Sequence, residues 1–308
     1  ISSLNTLRYE LMHKWNLDDF EFSESYLFFY DKLEKSNFYL ENVLKTLDKT
    51  TDSRIFEAVN EGPADDGGWW QMFVALVKKY GLVPKEAYPE SSNSRDSSAF
   101  EQYLNTKLRE FAAELRDAHQ AGKSVEELRS LKTGQMSVVY RICAIAMGEP
   151  PASFDLLLRV KDEGKDDAKA SESGTKSGID SRRQIVEHGI TPQEFYAKYV
   201  GEDLDDFVSL TNSPLASTPY YRRYQLAFVG NVAEAAPMDF INVPLDVFRK
   251  AAVDQLTAGH PIWFACDCAQ FSLRKAGIFD RGTVRVDELF GTEFASDKAH
   301  GLEYNDSR

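Results

Sequence analysis

Cysteine is scarce: only Cys143, Cys266 and Cys268 are present, an odd count at spacings that suit neither a disulfide framework nor a four-ligand zinc site. Free thiols in a reducing compartment are expected. Long apolar runs are missing as well. No stretch of 18 or more apolar residues could span a bilayer, and no basic-then-apolar leader opens the chain, so the expectation is a soluble, cytoplasmic protein. Positive charge is in short supply, with 36 Lys and Arg against 49 Asp and Glu and a net charge of -13. That balance repels phosphate backbones and anionic membrane surfaces, which argues against a nucleic-acid or membrane partner. No internal repeat of fixed period is found. What remains is 308 residues with 43% hydrophobic content, enough for a sizeable core in one large or two smaller domains.

The first 60 residues read as helix. Ser23 can cap an N-terminus ahead of Glu24, and Tyr26, Leu27, Tyr30 and Leu33 share a face that resumes at Leu40, Val43, Leu44 and Leu47. The clearest helix follows Gly67 and Gly68. It carries Trp69, Met72, Phe73, Leu76, Val77 and Tyr80 at helical spacing and stops at Gly81. Two more helices are predicted between residues 97 and 148, one presenting Phe100, Tyr103, Leu104, Leu108, Phe111 and Leu115, the other opening with the capping box of Ser124 and Glu127. From about Lys161 to Ser181 the chain turns to Lys, Asp, Ser, Gly and Ala, a composition that cannot offset the entropy of ordering. A flexible surface insertion is expected there, assigned to residues 161–189. Thr191-Pro-Gln-Glu194 starts a short helix. Beyond it Tyr224, Leu226 and Phe228 alternate as a strand, Pro244 to Leu256 forms an amphipathic helix ended by Gly259, and Pro261 to Cys266 reads as a compact apolar strand.

Which of these residues could carry chemistry? A Gly-Gly pair just before a helix leaves backbone N–H and C=O groups uncovered, so an extended peptide could pair with them as an added strand. The same glycines could merely make the tight entry to the helix. Cys143 shares helical spacing with Met136, Val139 and Tyr140 and reads as core. Cys266 and Cys268 share one strand face near His260, a pairing that would bind metal only if histidines converged on it; no metal or other cofactor is expected. His13, His119 and His188 read as surface residues, and His300 is rejected as a general base. Trp69 is placed inward and Trp70 outward. Asp65 and Asp66 read as a solvated face or as an attractor for a substrate's amino group.

Three stretches resemble the bleomycin hydrolase/aminopeptidase C branch of the papain-like cysteine peptidases: DDFEFSESYLFFYDKLEKSNFYLEN at 18–42, DGGWWQMFVALVKKYGLVPKEAY at 66–88 and GHPIWFACDCAQFSLRKAGIFD at 259–280. Weaker matches link them in the same order: GEPPASFDL, ITPQEFYAKYV, VSLTNSPL and INVPLDVF. The resemblance implies an α+β papain-like fold. Residues 1–160 would form a helical left domain with an insertion at about 90–150, and residues 190–308 a C-terminally incomplete right domain containing β-strands. It further implies a cofactor-free cysteine aminopeptidase acting on peptides, assembled as a homo-oligomer, a hexamer in that family. Gly67 and Gly68 would line the non-prime side of a substrate cleft. The strand at 261–267 would form the opposing wall, with Ala265 facing the pocket for the second substrate residue and Asp267 near it.

The family's mechanism needs a thiolate beside an imidazolium, an orienting group and oxyanion donors. In the family the Cys-Trp pair lies just before the segment matching Ser2 to Met12, and the His-Ala step follows the segment matching residues 301–308. The resemblance therefore implies a chain that supplies cleft walls without the catalytic dyad. The rival expectation is a truncated, catalytically inactive homologue that serves as a binding or assembly module.

Overall fold

The computed structural model describes residues 2–161, 183–265, 272–280, 282–283 and 285–293. Chain contacts divide them into two compact units. One runs to Val208 and includes Gln225–Asp239; the other comprises Ser209–Tyr224 and the described residues from Phe240 onward.

Helices build most of the first unit: α1 (Ser2–Trp15), α2 (Glu24–Lys45), α3 (Arg54–Asn60), α4 (Trp70–Tyr80), α5 (Ser92–Arg95), α6 (Ser98–Gln120) and α7 (Val125–Met147). Their start signals work as the sequence suggests. Ser23 Oγ accepts the Tyr26 N–H at 3.1 Å to open α2. At the head of α7, Ser124 Oγ accepts the Glu127 N–H at 3.2 Å while the Glu127 carboxylate accepts the Ser124 N–H at 2.8 Å, satisfying two donors that a helix end would otherwise leave unpaired. One core joins α2, α3, α6 and α7 through Phe29, Leu40, Val43, Phe56, Leu104, Leu108, Leu115, Val139 and Cys143. The segment between residues 90 and 150 is thus helical and packs directly on α2. Tyr103, predicted on the buried stripe of α6, is exposed.

Strands β1 (Phe154–Arg159) and β2 (Gln184–Ile190) form an antiparallel pair, with Leu158 opposite Ile185. Regular structure thus includes residues 184–189, which the sequence reading gave to a flexible insertion. β1 buries Phe154, Leu156 and Leu158 on one face, and its backbone edge recruits β2 by pairing, a tertiary effect that composition does not report. The remainder of that polar stretch, 162–182, lies outside the described residues. Helix α8 (Pro192–Phe195) carries the expected reciprocal Thr191–Glu194 cap and runs on into a π-helical turn, Tyr196–Val200. This segment belongs to the first unit. Lys14 Nζ donates to Val200 O at 2.9 Å, Trp15 Nε1 donates to Tyr199 O at 2.8 Å, and the Phe195 ring packs against Phe20, Phe22 and Phe154. By chain contacts the stretch from Ile190 to Val208 groups with the first unit.

In the second unit a three-stranded sheet takes the order β3 (Leu210–Thr211), β5 (Asp239–Asn242), β4 (Arg222–Gln225), with β3 parallel to β5. Asn242 is fully buried; its amide donates to Ser213 O at 2.9 Å and to Thr218 O, and its Oδ1 accepts the Ser213 N–H at 2.8 Å. Helix α9 (Leu245–Thr257) ends ahead of Gly259, as the pattern predicts, although none of its residues is buried. A short antiparallel pair, β6 (Ser272–Leu273) and β7 (Ile278–Phe279), and the helix α10 (Val286–Phe290) follow.

Two strand expectations fail. Strand β4 ends at Gln225; the Leu226 N–H still donates to Met238 O at 3.0 Å, and the left-handed φ of 61° at Phe228 breaks the alternation there. Pro261 to Ala265 forms no strand, and Phe264 is exposed. Apolar, β-branched composition makes a strand only where a neighbouring strand takes up its backbone groups; among the described residues no strand pairs with 261–265, and the Pro261 C=O instead accepts from Gln255 Nε2 at 2.8 Å.

Candidate functional site

The Gly67–Gly68 pair sits on the loop that enters α4, and both residues are exposed. Gly67 has a φ of 92°, which L side chains rarely adopt. A Cβ built there meets nothing within 4 Å, so the backbone angle rather than space demands glycine. Gly68 has ordinary backbone geometry, and a Cβ on it would lie 3.4 Å from Met72 Sδ. Among the described residues, neither the Gly68 N–H nor its C=O is taken by another protein group.

This bare edge is held from beneath by α2. Lys35 Nζ donates to Gly67 O at 2.6 Å and to Asp65 O at 2.7 Å, and pairs with Asp31 at 2.8 Å. Lys32 is wholly enclosed; its ammonium donates to Ala64 O at 2.8 Å, to Asp66 Oδ1 at 2.6 Å and to the Glu101 carboxylate. From α6, Asn105 accepts the Ala64 N–H at 2.9 Å and donates to the Asp65 carboxylate. Ser97 Oγ donates to Asp66 Oδ2 at 2.7 Å. A loop fixed by so many charged and amide groups presents a preorganised strand edge.

The same network decides the role of the two aspartates. Burial alone would raise the Asp66 carboxyl, but its hydrogen bonds with Glu101, Lys32 and Ser97 hold it well below the usual carboxylate range, while burial and the Asp66 charge push Glu101 up. Both carboxylates at 65 and 66 are engaged by neighbouring side chains. They anchor the loop instead of standing ready for a substrate amine.

The two tryptophans exchange the places the periodicity assigns them. Trp70 is buried, against Phe73 and Phe207 at ring-centroid distances of 5.2 and 5.0 Å, whereas Trp69 is 48% exposed beside the glycines. Trp69 is the N-cap, with extended backbone at φ -112° and ψ 164°. Its side chain is therefore outside the helical register that a periodic reading extends to it. Cys143 on α7 is fully buried, and desolvation pushes its thiol up to about 12, the opposite of an activated nucleophile. His13, His119, His188 and His260 are exposed, with His188 Nδ1 3.3 Å from Asp155. Among the described residues no group of three His, Cys, Asp or Glu side chains could hold a metal ion, and no helix is long and apolar enough to cross a membrane.

Of the four predicted substrate-binding residues, Gly67 and Gly68 stand together on the edge. Ala265 belongs to the second unit and is exposed, while Asp267, like Cys266, Cys268 and His300, lies outside the described residues. Sequence reasoning missed Lys32 and Lys35. A signal existed: Lys32 falls on the stripe Phe29, Ser36, Leu40, Val43 that α2 buries, and a charge on such a stripe needs a partner.

The mixed α+β architecture is that of the papain-like cysteine peptidase fold. The chain belongs to the Peptidase C1-like family, whose model matches residues 1–177 and 178–308, and within it to the bleomycin hydrolase/aminopeptidase C branch. It is 37% identical over 306 residues to Aminopeptidase C of Lactobacillus delbrueckii subsp. lactis and 36% identical over 307 residues to Aminopeptidase C of Listeria innocua serovar 6a, in each case across 99% of this chain and 64% of the relative. Aminopeptidase E of Lactobacillus helveticus is 36% identical over 303 residues, 98% of this chain and 64% of that protein. The crystal structure of PepW from Lactobacillus rhamnosis HN001 superposes with a TM-score of 0.88 at 38% identity, covering 98% of this chain and 63% of that one. The chain thus spans less than two thirds of the length of these relatives.

Proposed function

We propose that the polypeptide containing this chain is a cysteine aminopeptidase and that this chain furnishes the walls of its peptide-binding cleft. The observation that carries the reading is the Gly68 backbone pair, exposed and without a partner among the described residues, on a loop clamped by Lys32 and Lys35. An extended peptide adds to such an edge by accepting from the Gly68 N–H and donating to the Gly68 C=O. Relatives bearing the name Aminopeptidase C support the activity. Ala265 and Asp267 complete the proposed set of substrate-binding residues, and a homo-oligomer is the proposed assembly.

The reaction is acyl transfer. A thiolate attacks the carbonyl of the N-terminal residue, the C–N bond to the second residue breaks as an imidazolium protonates the leaving amine, and water then hydrolyses the thioester to restore the thiol. Cys143 cannot supply that thiolate, because it is enclosed and its thiol is hard to ionise. In this reading the reacting cysteine and histidine come from residues of the longer polypeptide. The test compares thiol-dependent release of an aminoacyl fluorophore by the full-length polypeptide and by the 308-residue chain. Turnover by the first alone is expected. Turnover by the 308 residues alone would overturn the assignment of the nucleophile, and peptide binding without turnover by the full-length protein would make it a non-catalytic homologue.

A further inference from the structure

Between α2, α4 and the loop at 226–238 lies a cleft of about 240 Å³, below the roughly 300–1,000 Å³ of pockets for drug-sized ligands and suited to a single small molecule. Helix α2 lines it with Phe38, Asn42 and Lys45, at i, i+4 and i+7 and so on one face. Met72 and Ala75 of α4 face the same space. The opposite wall closes tightly, since a Cβ at Gly230 would come within 3.0 Å of the Phe38 ring.

Three features give the cleft a chemical preference. Asn42 is 3% exposed and lines the cleft, and among the described residues its side-chain amide has no hydrogen-bond partner. Its neighbour Asn231 is different: its amide donates to Asp31 and to Met72 O, both at 3.1 Å, and its Oδ1 accepts the Val232 N–H at 2.8 Å. An amide that opens into a cleft is one that a ligand can satisfy. Lys45, one turn along, has no carboxylate partner among the described residues. Finally, among the described residues no Asp or Glu lines the cleft, in a chain of net charge -13. Glu234, within the same loop, is drawn off by Lys79, and Asp31 is held by Lys35 and Asn231.

We infer that this cleft binds a small carboxylate with an apolar tail. The carboxylate oxygens accept from the Asn42 amide beside the Lys45 ammonium, and the tail lies against Phe38, Met72 and Ala75. The site stands independently of the peptidase reading, because its test reads binding and not turnover.

The experiment is calorimetric titration of the intact polypeptide with 3-phenylpropanoate and, as the uncharged match, 3-phenylpropanamide. The carboxylate is expected to bind with 1:1 stoichiometry and at least about tenfold more tightly than the amide, the usual margin for a charge-assisted hydrogen bond. Asn42→Asp, near-isosteric but repulsive to the anion, should abolish binding. Lys45→Gln, at an exposed position, should weaken it about tenfold with an unchanged circular dichroism spectrum. If Asn42→Asp fails to fold, the Lys45→Gln titration decides. Equal affinity for acid and amide, unaltered affinity in Lys45→Gln, or no binding by the intact protein would each overturn the proposal.

Discussion

The ammonium of Lys32 stands 2.6 Å from a carboxylate oxygen of Asp66, with the lysine side chain completely enclosed and the aspartate half exposed. This pair ties α2 to the loop carrying the glycine edge, and Glu101 brings α6 to the same ammonium. Removing one member of a buried ion pair leaves the other uncompensated, at a cost of about 3–5 kcal/mol. Lys32→Ala is expected to destabilise the protein by that order, read as a lowered urea midpoint. Lys32→Met, which keeps the volume, should cost as much if the stranded charges dominate, and clearly less if packing does.

The same carboxylates set an acid limit. The folded state holds the Asp66 carboxyl below its ordinary value, so its contribution is present above the unfolded value of about 3.9 and is lost as pH falls through the depressed folded value. Glu101 acts in the opposite sense. Its raised carboxyl favours the protonated folded state, so its own effect on stability declines as pH rises from the ordinary glutamate value to the raised one. Urea midpoints measured from pH 7 to pH 2.5 should fall most steeply below about pH 4, and Asp66→Asn should flatten that limb.

Burial at Cys143 gives a chemical readout. With its thiol pushed up to about 12, less than about one part in a thousand is thiolate at pH 8. Native protein treated with iodoacetamide should remain unmodified at Cys143 by peptide mass spectrometry, and 6 M guanidinium should expose it fully. Modification of the folded protein at pH 8 would show that α7 opens readily.

Gly81 ends α4 with a φ of 73°, and a Cβ there would come within 2.4 Å of the Pro192 backbone. Both the angle and the space are closed, so Gly81→Ala should lower stability by about 2 kcal/mol or more. Differential scanning calorimetry would show the loss as a drop in Tm.

Local signals were legible in the sequence wherever a single residue performs a local task. Ser23, Ser124, Thr191 and Gly81 begin or end helices where their chemistry says they should, and Cys143 sits in the core its spacing implies. The Gly67–Gly68 edge was also visible, as a Gly pair before a periodic stretch. What escaped depends on distant partners. Pro261 to Ala265 has strand composition but no strand to pair with among the described residues, and Gln184–Ile190 became a strand because β1 offered it an edge. Trp69 and Trp70 were transposed because periodicity assumes a helix already running, whereas the cap residue is outside it. Lys32 was overlooked although it interrupts an apolar stripe, since the groups that compensate it lie 32 to 69 residues away along the chain.

The two glycines of the edge are separable by experiment, and that separation is the sharpest check on their proposed role. At Gly67 the constraint is conformational: a side chain forced to φ 92° costs about 1–2 kcal/mol, so Gly67→Ala should lower stability and disturb the Lys35 anchor. At Gly68 the backbone is ordinary, and the nearest atom to a new Cβ is the flexible end of Met72. Gly68→Val should therefore change stability by less than about 0.5 kcal/mol while its branched side chain shields the N–H and C=O that a peptide would pair with. In the full-length polypeptide, loss of two such hydrogen bonds at about 1 kcal/mol each corresponds to a rise in KM for a peptide substrate of about tenfold or more, with kcat much less affected. A Gly68→Val protein with unchanged KM would remove Gly68 from the cleft, whereas a large loss of stability would make the glycine a structural requirement of the turn into α4.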